Sequence, residues 1–237
     1  MKAVIINALA IIVGTFAGNL IGNRFSKKLE EEILDILGIA VIYIGISSAL
    51  KGENTLLIVI SLVIGVALGN LINIEEKLNG LGDKVLGLVS KRSKTSQGNF
   101  IEGFVTASLI FSVGSMAILG SISAGILKDN SILITKSILD GVTSIVLASS
   151  LGFGVGFSSL VVFIYQGLIV IFSSFLKDIF TPGLIADLSG VGGILIMAIG
   201  FNMLKIKKLN TANMLPAILV PIVYESLIRK LIEIIFG

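Results

Sequence analysis

Eight apolar runs, each long enough to cross a bilayer as a helix, decide what this chain can fold into. They cover roughly 3–22, 33–50, 55–74, 100–122, 131–151, 158–176, 184–204 and 212–228. About 20 residues of helix span a hydrocarbon core. None of the runs alternates with the period of two that a membrane barrel strand requires. Charged residues make up only 14% of the 237 residues and hydrophobic ones 54%, against about 25% charged in an ordinary soluble domain. A water-soluble fold of this size could not hide so much apolar surface, whereas lipid requires it. The expected fold is therefore all-α. It is a single transmembrane domain over 1–237, a polytopic bundle of about eight spans (seven if one fails to cross), with broken helices and internal pseudo-repeats.

The first run has only Lys2 before it and is long enough to span, so it reads as a retained span rather than a signal peptide. Short loops rich in Lys and Arg mark the cytoplasmic side. The loops after runs one, three and seven hold eleven of the 18 basic residues, among them Arg24, Lys77, Lys205 and Lys208. Both termini then lie outside. Residues 75–99 form the longest connector, with Leu and Val recurring at helical spacing between charges, as in a helix lying on the inner leaflet. The tail from Ser226 reads similarly.

Several chemistries are excluded by what is missing. The chain has no Cys and no His, which removes disulfides, thiolate metal sites and imidazole acid–base chemistry. No nucleophile–base spacing is visible. The expectation is a non-enzyme without cofactors. A net charge of +3 reflects loop bias and gives no reason to expect nucleic acid.

Internal similarity is visible in three places. Gly14, Gly18 and Asn19 at the end of run one line up with Gly65, Gly69 and Asn70 at the end of run three. Glycines four apart let helices approach closely. The following Asn is either an interfacial helix end or one of two paired ligands, Asn19 and Asn70, at a cytoplasmic gate. The stretch Glu102–Gly114 can be laid on Asp140–Gly152, in helices that the loop charges orient oppositely. Inverted, glycine-broken helices are one way to build a transport site. More weakly, Gly38 and Gly45 match Gly193 and Gly200.

A carboxylate within a span usually has a partner or a task. Asp140 lies about 14 Å into its helix at about 1.5 Å per residue, with Lys136 one turn earlier. The two either neutralise each other, or Asp140 holds a cation or proton. Glu102 lies closer to the inner surface. Gln166, next to Tyr165, needs a company of polar groups in lipid. Ser112, Ser115 and Ser150 sit in small-residue stretches around Gly114 and Gly152, where breaks would offer carbonyls and hydroxyls, or simply allow close packing. Pro221 should kink the last run near Glu225.

The Gly-Asn-Leu-Ile ending of run one, the stretch from Ser112 to Ile122, Lys136 to Gly141 and Tyr165-Gln-Gly167 together resemble the YdfK/YqgA-like family of bacterial membrane proteins, of the DUF554 type. The resemblance covers nearly the whole chain. It implies a multi-pass protein of the bacterial inner membrane with seven or eight helices, of unknown function though a transport role is often suggested for the family, and carries over no substrate or catalytic residue. The functional expectation is a transporter or channel for a small solute or ion. Its site would lie between runs four, five and six. The alternative is a sensor, scaffold or partner subunit that transports nothing. Partners are the lipid bilayer, a small solute or ion, and a second copy if the glycine faces pair as a homodimer.

Overall fold

The computed structural model describes residues 1–22, 24, 26–77, 97–113 and 115–228. These fold as α1 (Lys2–Gly22), α2 (Lys27–Ala49), α3 (Thr55–Ile72), α4 (Gln97–Ser112), α5 (Ser115–Ile126), α6 (Ser131–Leu151), α7 (Gly154–Leu176), α8 (Pro182–Met203), α9 (Thr211–Met214) and α10 (Leu219–Val223). No strand occurs among the described residues. Polar residues just before three of the helices explain where they start. Ser26, Asn54 and Thr181 accept from the N–H groups of Leu29, Leu57 and Leu184 at 3.3, 3.0 and 3.2 Å, satisfying donors that a first turn leaves unpaired. Pro182 opens α8, a position where its missing N–H is no loss.

Outward faces carry the exposed side chains of Val13, Phe16, Leu20, Leu56, Val63 and Leu71. Apolar surface this continuous belongs against acyl chains, not water. Among the described residues, six helices are long and apolar enough to cross a membrane, or seven with α4 and α5 taken as one bent span. This is a membrane protein in contact with the lipid bilayer. One helix differs from the rest: 78% of the apolar window of α8 is buried, against 22–39% for the other five. α8 is the most enclosed of the six, with α2, α3, α4, α5 and the last helical run packed against it.

Glycine sets the closest packing. Gly14, Gly18 and Gly22 of α1 press on the backbone carbonyls of Gly141, Ile145 and Ser149 of α6, leaving no room for a Cβ. Residue numbers rise together along this contact, so α1 and α6 run parallel. Along α2 and α8 they run in opposition, with Gly45 against Gly193 and Gly38 against Gly200, making that pair antiparallel. α3 lies antiparallel to the last helical run, with Gly65 on Ala217 and Gly69 on Asn213. Small residues let backbones approach where lipid supplies no hydrophobic drive between helices.

Two expected boundaries are corrected, and a broken helix of the kind the expected fold class includes falls in the fourth run. The fourth run is not continuous: α4 and α5 meet at a bend of 58°. Gly114 itself lies outside the described residues. The bent pair still follows α7 along its length. Gly103 of α4 lies against Leu151 at the end of α6 and Val155 at the start of α7, and Gly125 of α5 against Val170 and Ser173 near the end of α7. Next, Gly152 does not break a span. With φ 74° it is the corner between α6 and α7, and α7 begins at Gly154, four residues earlier than expected. Finally, the run 211–228 is not one helix. Pro216 and Pro221 each lack an N–H, and the run divides into α9, a 3₁₀ turn at Leu215–Ile218, α10 and a π-helical turn at Tyr224–Ile228. It nonetheless reaches from Asn213, which donates to Asn70 at 3.1 Å, to Glu225, which accepts from Thr181 at 3.1 Å.

These contacts bring the loops bearing Arg24, Lys77 and Lys205 to one end of the bundle, here termed the basic end. Most of the connector, 78–96, and the tail 229–237 lie outside the described residues, so their amphipathic character remains a sequence reading.

Candidate functional site

Buried hydroxyls in this protein fall into two groups. Thr15, Ser61, Ser121, Ser137, Ser144, Ser158 and Ser189 each donate back to a carbonyl of their own helix at 2.6–2.8 Å. Ser150 of α6 has no partner among the described residues, and neither do Thr106, Ser108 and Ser112, all on α4. A buried hydroxyl without a hydrogen bond is costly, so this concentration on one helix needs an explanation.

The three on α4 all line cavities. Thr106 faces a cavity of about 530 Å³ at the basic end, with Glu75, Glu102, Asn202, Lys205 and Lys208 around it. Charges of both signs meet there on a partly apolar wall. Ser108 and Ser112 face a second cavity of about 230 Å³, largely apolar, lined also by Phe104, Val113, Ile118, Tyr165 and Phe180. Val113 and Ile118 flank the α4–α5 bend, so this cavity sits where the span is broken. Val105 belongs to the wall of both cavities.

A separate polar cluster joins α1, α6 and α7. Lys136 donates to Asp140 Oδ1 at 2.9 Å, one turn apart on α6. Asn7 of α1 donates its Nδ2 to Asp140 Oδ2 at 3.0 Å and to Gln166 Oε1 of α7 at 3.2 Å. All four side chains are buried. An ion pair is tolerated in such surroundings only when its remaining lone pairs are met by hydrogen bonds, and Asn7 supplies one.

The structure therefore joins Asp140 and Gln166, through Asn7, which the sequence reading missed. The signal was present: an amide in the middle of an apolar run, the same reasoning that singled out Gln166. Ser112 and Glu102 line the two cavities on α4, away from this cluster. Ser150 is buried with its hydroxyl unpartnered. Ser115 opens α5, and its side chain lies outside the described set. Asn19 donates to the Thr15 carbonyl of its own helix at 2.9 Å. Asn70 donates to Val66 at 2.8 Å and accepts from Asn213. Each Asn thus sits in a different helix contact. Pro221 is buried within the segmented run. Asp187 accepts from the backbone N–H groups of Glu53 and Asn54 at 3.0 and 2.8 Å, pinning the α2–α3 turn to α8.

The family model described as "Protein of unknown function (DUF554)" matches residues 2–225. The chain belongs to the DUF554 family. Among DUF554 relatives, it is 38% identical over 229 residues to the uncharacterized membrane protein YdfK of Bacillus subtilis (strain 168), covering 93% of this chain and 94% of that one. It is 32% identical over 215 residues to the uncharacterized protein YqgA of Escherichia coli (strain K12), covering 90% and 92%. No solved structure matches. Both cavities and the Asn7 cluster fall within the DUF554 match.

Proposed function

We propose that this protein is a transporter or channel for a small solute or ion, with its path along α4. The observation that carries this reading is the set of unpartnered hydroxyls. Seven buried hydroxyls elsewhere are satisfied within their own helices, whereas Thr106, Ser108 and Ser112 point into the two cavities that share Val105. A passing solute or its water shell supplies the missing partners. The wide, charged mouth lies at the basic end, which the loop charges assign to the cytoplasm of a bacterial cell. The break between α4 and α5 is the movable element, as discontinuous helices are in transporters with inverted repeats. The opposite directions of α4, carrying Glu102, and α6, carrying Asp140, support such a repeat.

The test is flux into proteoliposomes holding the purified full chain, across a panel of inorganic ions, amino acids and small organic acids. Wild type is expected to move at least one member. Val105→Phe, which fills the shared wall, is expected to slow it at least tenfold while remaining monodisperse in detergent. A folded protein that moves nothing in the panel, or a Val105→Phe variant moving it at the wild-type rate, removes this path.

A further inference from the structure

The cluster of Asn7, Lys136, Asp140 and Gln166 has an internal logic that its hydrogen bonds determine. Asn7 must turn Nδ2 toward Asp140, because its carbonyl oxygen would otherwise oppose a carboxylate oxygen. Gln166 must then turn Oε1 toward Asn7. Two atoms are left without partners among the described residues, Asn7 Oδ1 and Gln166 Nε2, on side chains that are both 0% exposed. The cluster thus carries oxygens from three helices: both carboxylate oxygens of Asp140 and Gln166 Oε1, each accepting a hydrogen bond, and the unpartnered Asn7 Oδ1. Hard oxygen donors of this kind suit an alkali cation, not a soft metal.

Charge limits what may enter. One carboxylate in a buried site balances one positive charge, and the Lys136 ammonium at 2.9 Å already provides it. A second cation beside the first would be uncompensated in a medium of low dielectric. Entry of a cation therefore requires Lys136 to give up its charge.

We propose that this cluster is an alkali-cation site in which Lys136 is a tethered competitor, exchanging one proton for one bound ion. In the exchange the ammonium of Lys136 loses one proton to water and becomes a neutral amine. The ion takes its place on Asp140, and the net charge of the site is unchanged. No covalent bond other than the N–H is broken and no electrons are transferred. Few other charges face the pair. α1 brings Lys2 and the amino terminus, both exposed, and the loop before α6 brings the exposed Lys128 and Asp129. α5 brings none, and α7 brings only Tyr165, which lines the apolar cavity. Glu102 of α4 lines the other cavity, and the charged residues of α2, among them Lys28 and Asp35, lie toward the basic end. The inference rests on the transport reading only in giving that transport a driving ion.

The experiment titrates sodium, lithium and potassium chlorides, with choline chloride as control, into the full chain in detergent. It follows thermal unfolding and, in weak buffer, the proton released. In wild type at least one alkali ion is expected to raise the unfolding midpoint by several degrees, releasing about one proton per ion, with affinity falling roughly tenfold for each unit drop in pH. Lys136→Arg keeps the pairing charge but cannot deprotonate, so it is expected to fold and to lose the response. Asp140→Asn loses it too, and Lys136→Met keeps the ion binding. A wild type indifferent to all three ions, or a Lys136→Arg protein that responds like wild type, overturns the proposal. Flux that proceeds equally in choline would discard this site and leave the α4 path intact. Ion binding in a protein that moves nothing would do the reverse.

Discussion

Asn7 donates its Nδ2 to Asp140 Oδ2 at 3.0 Å, tying together positions 133 residues apart. The bond holds α1 on α6 above the glycine contact and orients the carboxylate that Lys136 neutralises. Replacing Asn7 with Leu removes a donor from Asp140 and leaves Gln166 Oε1 unpartnered. We expect a loss of about 1–3 kcal/mol, the usual penalty for stranding buried polar groups. Because Asn7 and Gln166 share one network, the double replacement by Leu should cost less than the two single changes summed. Reversible unfolding in detergent measures both quantities, and additive losses would show that the two amides act independently.

The ion pair makes a sharper demand. Removing either partner alone, by Lys136→Met in choline or by Asp140→Leu, should cost about 3–5 kcal/mol because a buried charge is left alone. The paired replacement should be milder than either single one. A double variant less stable than both singles would place the pair's value in its own bond, against this account.

Backbone contact between α1 and α6 predicts that Gly18→Val is severely destabilising, since any Cβ there meets the Ile145 carbonyl. Gly167→Ala is the control, because its nearest neighbour is the Met1 methyl at 3.6 Å, an ordinary contact. Size-exclusion profiles should show aggregation for the first and a wild-type peak for the second. Equal behaviour would mean that α1 is not held at this distance.

Asp187 offers a local test. Asp187→Ala strands the N–H groups of Glu53 and Asn54, with an expected loss of about 1–3 kcal/mol and a looser α2–α3 turn. Trypsin should then cut after the exposed Lys51 several times faster than in wild type. An unchanged cutting rate would show that the turn is held by other contacts.

The absence of cysteine makes labelling direct. A single Thr106→Cys should react with a membrane-impermeant maleimide supplied at the basic end, and Ser112→Cys should react more slowly, behind Val105. Reaction of Ser112→Cys from the opposite end first would reverse the direction assigned to the path.

Much of this architecture could be read from the sequence, and the reasons differ from element to element. Runs of 18 or more apolar residues identify spans because lipid leaves a backbone few other options. The glycine pairs of α1 and α3 predict close packing, while Gly45 and Gly193, matched only as weak internal similarity, touch each other. Asp140 and Lys136 were legible as neighbours because i and i+4 share a helix face. The role of Asn7 was not, since no local pattern says which distant span its amide will meet. The bend after Ser112 was expected only in outline. Of the two prolines in the segmented last run, the sequence reading singles out only Pro221. The unpartnered hydroxyls of α4 could not be told from the satisfied ones, because both kinds are Ser or Thr in an apolar helix.

None of the first three helices finds its chief partner next to it in sequence: α1 rests on α6, α2 on α8, and α3 on the run that closes the chain. During synthesis those glycine faces leave the insertion machinery and wait unmatched in the bilayer until the last segments arrive. Translation that stops early would strand three adhesive surfaces in the membrane at once. The order of assembly is thus dictated by the carboxyl-terminal half, and any chaperone or protease that surveys this protein has an unfinished chain to recognise for most of the time it takes to make one.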